Sequence, residues 1–292
     1  MITKMCFFCK YIEKVCTKIC KNQKKIVTLW AFCARLYAQA CNGAHDLSNR
    51  IKMTIIALDS ATDVCSACLI SDGRIVAERL NDSGSNHAAL LPTYIQQLQQ
   101  EAHNRNLPLD GIVLSQGPGS YTGLRIGASL AKGLCYGAEL PLLSVPTLAV
   151  IAAGAVNSQK SDIRNQKSAL ICPMIDARRM EVYCALYDTE LHEVEPLQAM
   201  VIDAESFADM LENHVIYFCG NGAEKCKAVI NHPNARWIDN IVPTAAQAGL
   251  LAANHSDRAD LIHRIEGKNI AYFEPNYLKE FIAAPSHVKG LK

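Results

Sequence analysis

The run Gly117-Pro118-Gly119-Ser120-Tyr121-Thr122-Gly123-Leu124-Arg125-Ile126-Gly127 constrains the fold of this chain more than any other stretch. It joins an apolar segment, residues 112–115, that reads as a buried strand, to residues 128–134, which read as a helix. A glycine-rich turn at such a junction exposes backbone N–H groups at a helix N-terminus, where an anion can sit. Ser120 and Thr122 are placed to cap the helix or to add hydroxyl donors. Arg125, one turn in, can reach back to an anion or to a partner carboxylate. Gly-Pro-Gly equally makes a tight structural turn, because Gly supplies positive φ and Pro fixes its own φ. Two readings therefore stand: a nucleotide or anion loop built from Gly117, Gly119, Ser120, Thr122, Gly123 and Arg125, or a turn with a cap. The run is not a P-loop, since Gly-Lys-Ser/Thr is missing. It is not a Rossmann fingerprint, since no third glycine falls in register.

Charge is lopsided. Residues 1–52 hold ten Lys/Arg against Glu13 and Asp46, and the whole chain of 292 residues is +1, so residues 53–292 carry −7. An acidic body is a poor lone binder of nucleic acid, because phosphate affinity is largely electrostatic. Six of the 13 cysteines (Cys6, Cys9, Cys16, Cys20, Cys33, Cys41) lie in that basic leader. The remaining seven are scattered through apolar segments, as buried thiols of a reducing compartment are. Cys65 and Cys68 fall in a strand-like run, where a spacing of three puts them on opposite faces. A zinc reading of Cys6-x-x-Cys9 and Cys16-x-x-x-Cys20 lacks a second close pair or flanking His. No span has the length of apolar residues needed to cross a bilayer, and the charged stretch before Ala38-Gln39-Ala40 is too long for an ordinary signal peptide. The expected location is cytoplasmic.

Order begins at Met53. Residues 54–58 read as a buried strand ending at Asp59-Ser60. Residues 66–70 and 74–80 read as strands joined by Asp72-Gly73, a strong hairpin signal. Residues 86–103 read as a helix, with Leu91, Ile95, Leu98 and Ala102 at three- and four-residue spacing. A strand over 142–144 follows the glycine-loop helix, and Pro146 starts another helix at its favoured first position. Hairpin-linked strands followed by strand–helix–strand crossovers predict a mixed sheet with helices on both faces. The pattern resembles a ribonuclease-H-like half over 53–155. Residues 156–168 read as a polar linker. A second half, 165–292, opens with strands over 169–176 and 180–187, then 215–219, Gly220-Asn221-Gly222 and a helix from Ala223.

Six pieces together resemble the TsaB (YeaZ) family: Ile55-Ile56-Ala57-Leu58-Asp59-Ser60-Ala61-Thr62, His87-Ala88-Ala89-Leu90-Leu91-Pro92, the glycine run, Ser144-Val145-Pro146-Thr147-Leu148, Asp176-Ala177-Arg178-Arg179-x-Glu181-Val182-Tyr183, and Pro275-Asn276-Tyr277-Leu278. The similarity covers residues 53–292, in order. It implies an α/β fold of the actin/Hsp70-like ATPase (ASKHA) superfamily, two ribonuclease-H-like halves facing a cleft. It implies a subunit for threonylcarbamoyladenosine synthesis in tRNA, paired with TsaD, which transfers the threonylcarbamoyl group to the adenosine beside the anticodon. TsaE, a P-loop ATPase, joins them, and tRNA is met only through the complex. ATP or ADP is the cofactor such a complex implies. TsaD carries a His-x-x-x-His metal motif where this chain has Thr147-Leu148-Ala149-Val150-Ile151, so neither position can ligate a metal. The expectation is a scaffold without catalytic or metal-binding residues of its own.

The resemblance also implies an interface. Leu90, Leu91, Tyr94 and Leu98 form a stripe on the helix over 86–103. The helix over 123–137 offers Gly127, Leu130, Ala131 and Leu134, with small residues also at Gly123, Ala128 and Gly133, and small residues let another helix approach closely. In the family these helices bundle with TsaD or with a second copy of the same chain. Internal packing is the other reading of the same stripes. Asp59 stands where phosphate-handling members of the superfamily keep an acidic residue, or serves as a turn residue. Gly220-Asn221-Gly222 flanks a nucleotide or makes a plain turn, Arg178 and Arg179 sit solvated at a hairpin tip, and His87 packs on a helix.

An enzymatic alternative is an ATP hydrolase or small-molecule kinase of the same superfamily, supported by Asp59 and the two glycine loops. A peptidase, a label this family has carried, lacks a nucleophile–base pair or zinc ligands. Met53 stands where the family's chains begin, so residues 1–52 are expected to arise from a misassigned start codon, or else to form a disordered basic tail. Intact-mass measurement of the native protein is expected to give a species starting at Met53; a species retaining Met1 removes the start-codon reading.

Overall fold

A computed structural model describes residues 53–278, except 85, 160–162, 164, 165, 167, 256 and 257. The basic leader, with its zinc and signal readings, lies outside the described residues. The described chain forms two mixed sheets of related topology. In the first, β1 (Thr54–Asp59), β2 (Cys65–Ser71) and β3 (Arg74–Asn81) make an antiparallel meander. β4 (Gly111–Ser115) and β5 (Leu142–Val145) then add in parallel beside β1. A short β11 (His263–Ile265) closes the far edge, for the order β11-β5-β4-β1-β2-β3. The second sheet repeats the plan with β6 (Ala169–Asp176), β7 (Glu181–Tyr187), β8 (Glu193–Val201), β9 (Val215–Cys219) and β10 (Ala235–Ile238), in the order β10-β9-β6-β7-β8. So β1 corresponds to β6 and β4 to β9.

Helix α1 (His87–Asn104) buries Leu91, Ile95, Leu98 and Ala102, the residues its periodicity singles out. It packs with α2 (Tyr121–Ala138) on one face of the first sheet. Helix α3 (Thr147–Ser158) follows β5. Pro146 is its N-cap, one position earlier than the sequence predicts. Val156, Asn157 and Ser158, expected in the linker, are the last turn of α3, because Val156 is buried in the core. In the second half the counterparts are reduced to a short α4 (Ala208–Asn213) and a 3-10 turn (Glu224–Cys226) where a full helix from Ala223 is predicted. Helix α5 (Ala245–Asn254) follows β10. Its N-cap, Thr244, accepts the Gln247 N–H at 3.3 Å.

α3 and α5 lie between the two sheets and exchange partners. α3 belongs to the first half and packs on β6, β7 and β9, whereas α5 follows the second sheet and packs on β1, β2 and β4. They also pack on each other, and all ten residues from Thr147 to Val156 are buried. A side chain at Gly249 would overlap Ile70, so glycine lets α5 lie directly on the first sheet. This shared core includes Ile55, Ala57, Val113, Ile151, Ile171, Tyr217 and Leu251. Cys65 and Cys68 point to opposite faces of β2, as the spacing predicts. Among the described residues no helix is long and apolar enough to cross a membrane. Because Ile151 is fully buried between the sheets, Ile151→Ala is expected to lower unfolding free energy by about 2–5 kcal/mol, read from urea unfolding; a loss under 1 kcal/mol would mean this layer can collapse without penalty.

Candidate functional site

Two loop–strand junctions carry the chemistry-bearing residues, one per half. In the first, Asp59 ends β1 fully buried. Its Oδ1 accepts the Ala61 N–H at 3.2 Å, while Oδ2 has no hydrogen-bond partner among the described residues. Ser115 ends the neighbouring parallel strand. Its hydroxyl lies close enough to favour the carboxylate, yet Ser115 Oγ also completes no hydrogen bond. Burial dominates and pushes the carboxyl from 3.8 up to about 6, against the pull of Ser115, the Ala61 N–H and His87. His87 is a packing residue: its Nε2 lies 2.9 Å from the Thr62 carbonyl oxygen and ties the start of α1 to the β1–β2 turn.

The glycine loop lies on this turn. A side chain at Gly119 would overlap the Ala61 carbonyl, and one at Gly123 would overlap the Ser60 carbonyl. The Ser120 N–H donates to Ala61 O at 2.7 Å, and the Ser60 hydroxyl donates to Gly123 O at 2.9 Å. Ser120 caps α2 by accepting the Gly123 N–H at 3.3 Å, and the Gly117 N–H goes to Thr147 Oγ1 at 3.0 Å. The amides of Gly117, Ser120 and Gly123 thus have partners within the protein, and the glycines permit backbone-to-backbone contact. Thr122 is exposed on the first turn of α2. Arg125 turns outward rather than back to the loop. Its guanidinium lies 4.0 Å from the centroid of the Tyr121 ring and 5.9 Å from that of Tyr277. The C-terminal segment closes over the loop, with the Asn276 N–H donating to Gln116 O at 2.7 Å.

In the second half Asp176 ends β6 but is exposed. Lys225 Nζ donates to Asp176 Oδ1 (2.5 Å), Arg179 O (2.7 Å) and Glu181 O (2.7 Å), and the Arg178 N–H donates to Asp176 Oδ1 at 2.8 Å. These contacts outweigh desolvation and hold the Asp176 carboxyl below the usual carboxylate range. Asn221 Oδ1 accepts the Asp176 N–H at 3.1 Å, so Gly220-Asn221-Gly222 braces the strand end as a turn. Arg178 and Arg179 have φ of 73° and 49°, a region L side chains rarely adopt, at roughly 1–2 kcal/mol each.

The helix faces separate cleanly. Leu91 and Leu98 of α1 and Gly127 and Ala131 of α2 are buried in the first sheet's own core. Leu90, Tyr94, Leu130 and Leu134 are half-buried at its margin. Outward on α2 stand Arg125, Ser129, Gly133, Gly137 and Tyr136, the last 79% exposed. No atom of the described residues lies within 4 Å of a side chain built at Gly133 or Gly137. Thr147 and Ile151, where a metal pair would stand, are buried. Among the described residues no group of three or more His, Cys, Asp or Glu is arranged to hold a metal.

Residues 81–285 match the family described as "TsaD: tRNA N6-adenosine threonylcarbamoyltransferase". The tRNA threonylcarbamoyladenosine biosynthesis protein TsaB of Bacillus subtilis (strain 168) is 29% identical over 78% of this chain and 94% of its own length. TsaB of Escherichia coli (strain K12) is 35% identical over 47% of this chain; the match spans just over half, 56%, of that relative. The chain belongs to the TsaD family and, within it, to TsaB/YeaZ. The solved structure of YeaZ from Pseudomonas aeruginosa superposes with a TM-score of 0.62 at 23% identity, over 77% of this chain and all of that one. The fold is therefore the actin/Hsp70-like one, with two ribonuclease-H-like halves.

Within this TsaB/YeaZ chain, two site residues escape sequence reasoning: Ser115 ends an apolar run, and Lys225 acts across 44 or more positions, where no local pattern marks them. Asp59 gives a test. Its folded-state pKa of about 6 lies above its ordinary 3.8, so the folded chain binds the proton more tightly between those values. The stabilisation is present below about pH 4 and is lost as pH rises to about 6. At about 1.4 kcal/mol per unit this amounts to on the order of 3 kcal/mol. Asp59→Asn is expected to gain that much stability relative to wild type between pH 4 and pH 7 in urea unfolding, and a pH-independent difference would remove the burial account.

Proposed function

We propose that this chain is a scaffold subunit for tRNA threonylcarbamoyladenosine synthesis, pairing with a TsaD-like subunit through the outer face of α2 and the adjoining margin of α1. Its relatives are named for that biosynthesis, and its own family is that of the transferase. The observation that carries the reading is the pair Gly133 and Gly137. A glycine inside a helix is unfavourable by about 1 kcal/mol relative to Ala. Nothing among the described residues requires either one, whereas Gly119, Gly123 and Gly249 all meet close neighbours. Beside them stand exposed Tyr136 and half-buried Leu130 and Leu134. A bare helical groove edged by a tyrosine and two leucines suits a second helix lying close against it.

Thr147 and Ile151 support a scaffold role because a transfer through a metal at that position has no ligands. A TsaE-like P-loop ATPase is the third component in this reading, and tRNA is reached through the assembly. The same groove serves a homodimer when the partner is absent. The orphaned Asp59 Oδ2 favours one other reading, an ATP hydrolase or small-molecule kinase. That reading requires ATP turnover by the isolated chain, lost in Asp59→Asn.

Light-scattering chromatography of the chain, alone and mixed with the TsaD-like subunit of its own organism, tests the proposal. A one-to-one complex is expected, lost in Gly133→Glu and weakened at least tenfold in Tyr136→Ala. Both positions are exposed, so circular dichroism is expected to stay unchanged. Absence of a complex between folded proteins, or a complex indifferent to Gly133→Glu, overturns it.

A further inference from the structure

The turn after β6 is exposed and tightly constrained. Two consecutive arginines hold positive φ, and Asn or Gly would take that backbone readily. Lys225 supplies three hydrogen bonds to the turn and Asp176 accepts two, so the tip is held in one shape. The arginine side chains take no part in this. Both residues are exposed, and among the described residues neither guanidinium has a hydrogen bond or an ion pair. Asp176 accepts the Arg178 backbone N–H but feels the Arg178 guanidinium only as a nearby charge, and its carboxylate is already engaged by Lys225. The result is a rigid tip with two free cations on a body that carries −7 over residues 53–292. Folding alone does not select Arg at either place. Strain retained at a surface turn marks a function, and paired guanidinium groups match phosphate oxygens in geometry and charge.

We propose that the Arg178–Arg179 turn is a phosphate-ester site. Its place in a tRNA-modification subunit selects the RNA backbone as the source of that phosphate, and only this choice rests on the function proposed above. The acidic body confines attraction to the tip, which makes it a positioning contact within a larger complex rather than a stand-alone RNA-binding surface.

The test replaces the arginines by residues that suit the backbone: Arg178→Asn together with Arg179→Gly. Full-length chain, alone and with the TsaD-like subunit, is titrated with a tRNA transcript and with ATP across a salt series. The double variant is expected to melt at the same or a higher temperature, because strain is relieved. Its tRNA affinity is expected to fall about tenfold or more, and the slope of log K against log salt to shrink by about 1.5. A loss confined to ATP assigns the same site to a nucleotide phosphate. Unchanged tRNA and ATP binding by a folded double variant overturns the site. Failure of wild-type chain to join the TsaD-like subunit sinks the scaffold reading instead, and the titrations of the chain alone then decide this one.

Discussion

The exchange of α3 and α5 between the sheets is the constraint on which the rest depends. Each helix leaves one half and buries its surface against the other, so neither sheet has a complete core by itself. Both helices are small-residue rich, with Ala149, Ala152, Ala155, Ala248 and Ala252 fully buried, which lets two sheets and two helices share a thin apolar layer. The positions of Asp59 and Asp176 at the ends of corresponding strands follow from this packing. A change in the middle layer would therefore move the two loop junctions relative to each other before it disturbed either one locally.

The same packing explains the glycine loop. In the first half the loop after β4 lies on the β1 end through Gly119 and Gly123; in the second, the loop after β9 lies on the β6 end through Gly220 and Gly222. The Gly222 N–H donates to Met174 O at 3.0 Å, much as the Ser120 N–H donates to Ala61 O. Both loops thus latch a crossover onto the first strand of its sheet. What separates the halves is the element that follows: a long helix after the first loop, a single 3-10 turn after the second. Among the described residues, only the first half therefore presents a long outer helical face.

The fold was legible where burial is one-sided. The apolar spacing of α1 named its four buried residues, and Asp72-Gly73 marked the first hairpin, with both residues at positive φ. β8 carried no such signal. It is an edge strand, mostly exposed, with Glu193, Glu195 and Pro196 in place of an alternating pattern, as protected edges have. α5 did carry one: Thr244 with Gln247 three positions on is a cap pattern, hidden because a helix between two sheets whose polar residues are only Gln247 and Asn254 has no polar face to give it a period. The glycine run was ambiguous in sequence, since a loop that binds a phosphate and a loop that binds its own neighbour need the same small residues. Only the overlap of Gly119 and Gly123 with backbone carbonyls separates the two demands.

Among the described residues, three features stand out that the folding of this chain does not call for: a buried carboxyl with an orphaned oxygen, two arginines at positive φ, and two glycines bare on a helix. Each is locally unfavourable, and each has an obvious stabilising replacement in Asn, in Asn or Gly, and in Ala. Natural chains are rarely at their stability optimum, so each of these replacements is open to a direct stability measurement. The three sit at different places on the fold, one in a buried strand end, one on an exposed tip and one along a helix face. They also call for different chemistries: a group to meet the carboxyl, a phosphate to meet the guanidinium pair, and a helix to meet the bare groove. The scaffold role proposed above accounts for the two that lie on the surface, the arginine tip and the helix face, and leaves the buried Asp59 carboxyl to its own test.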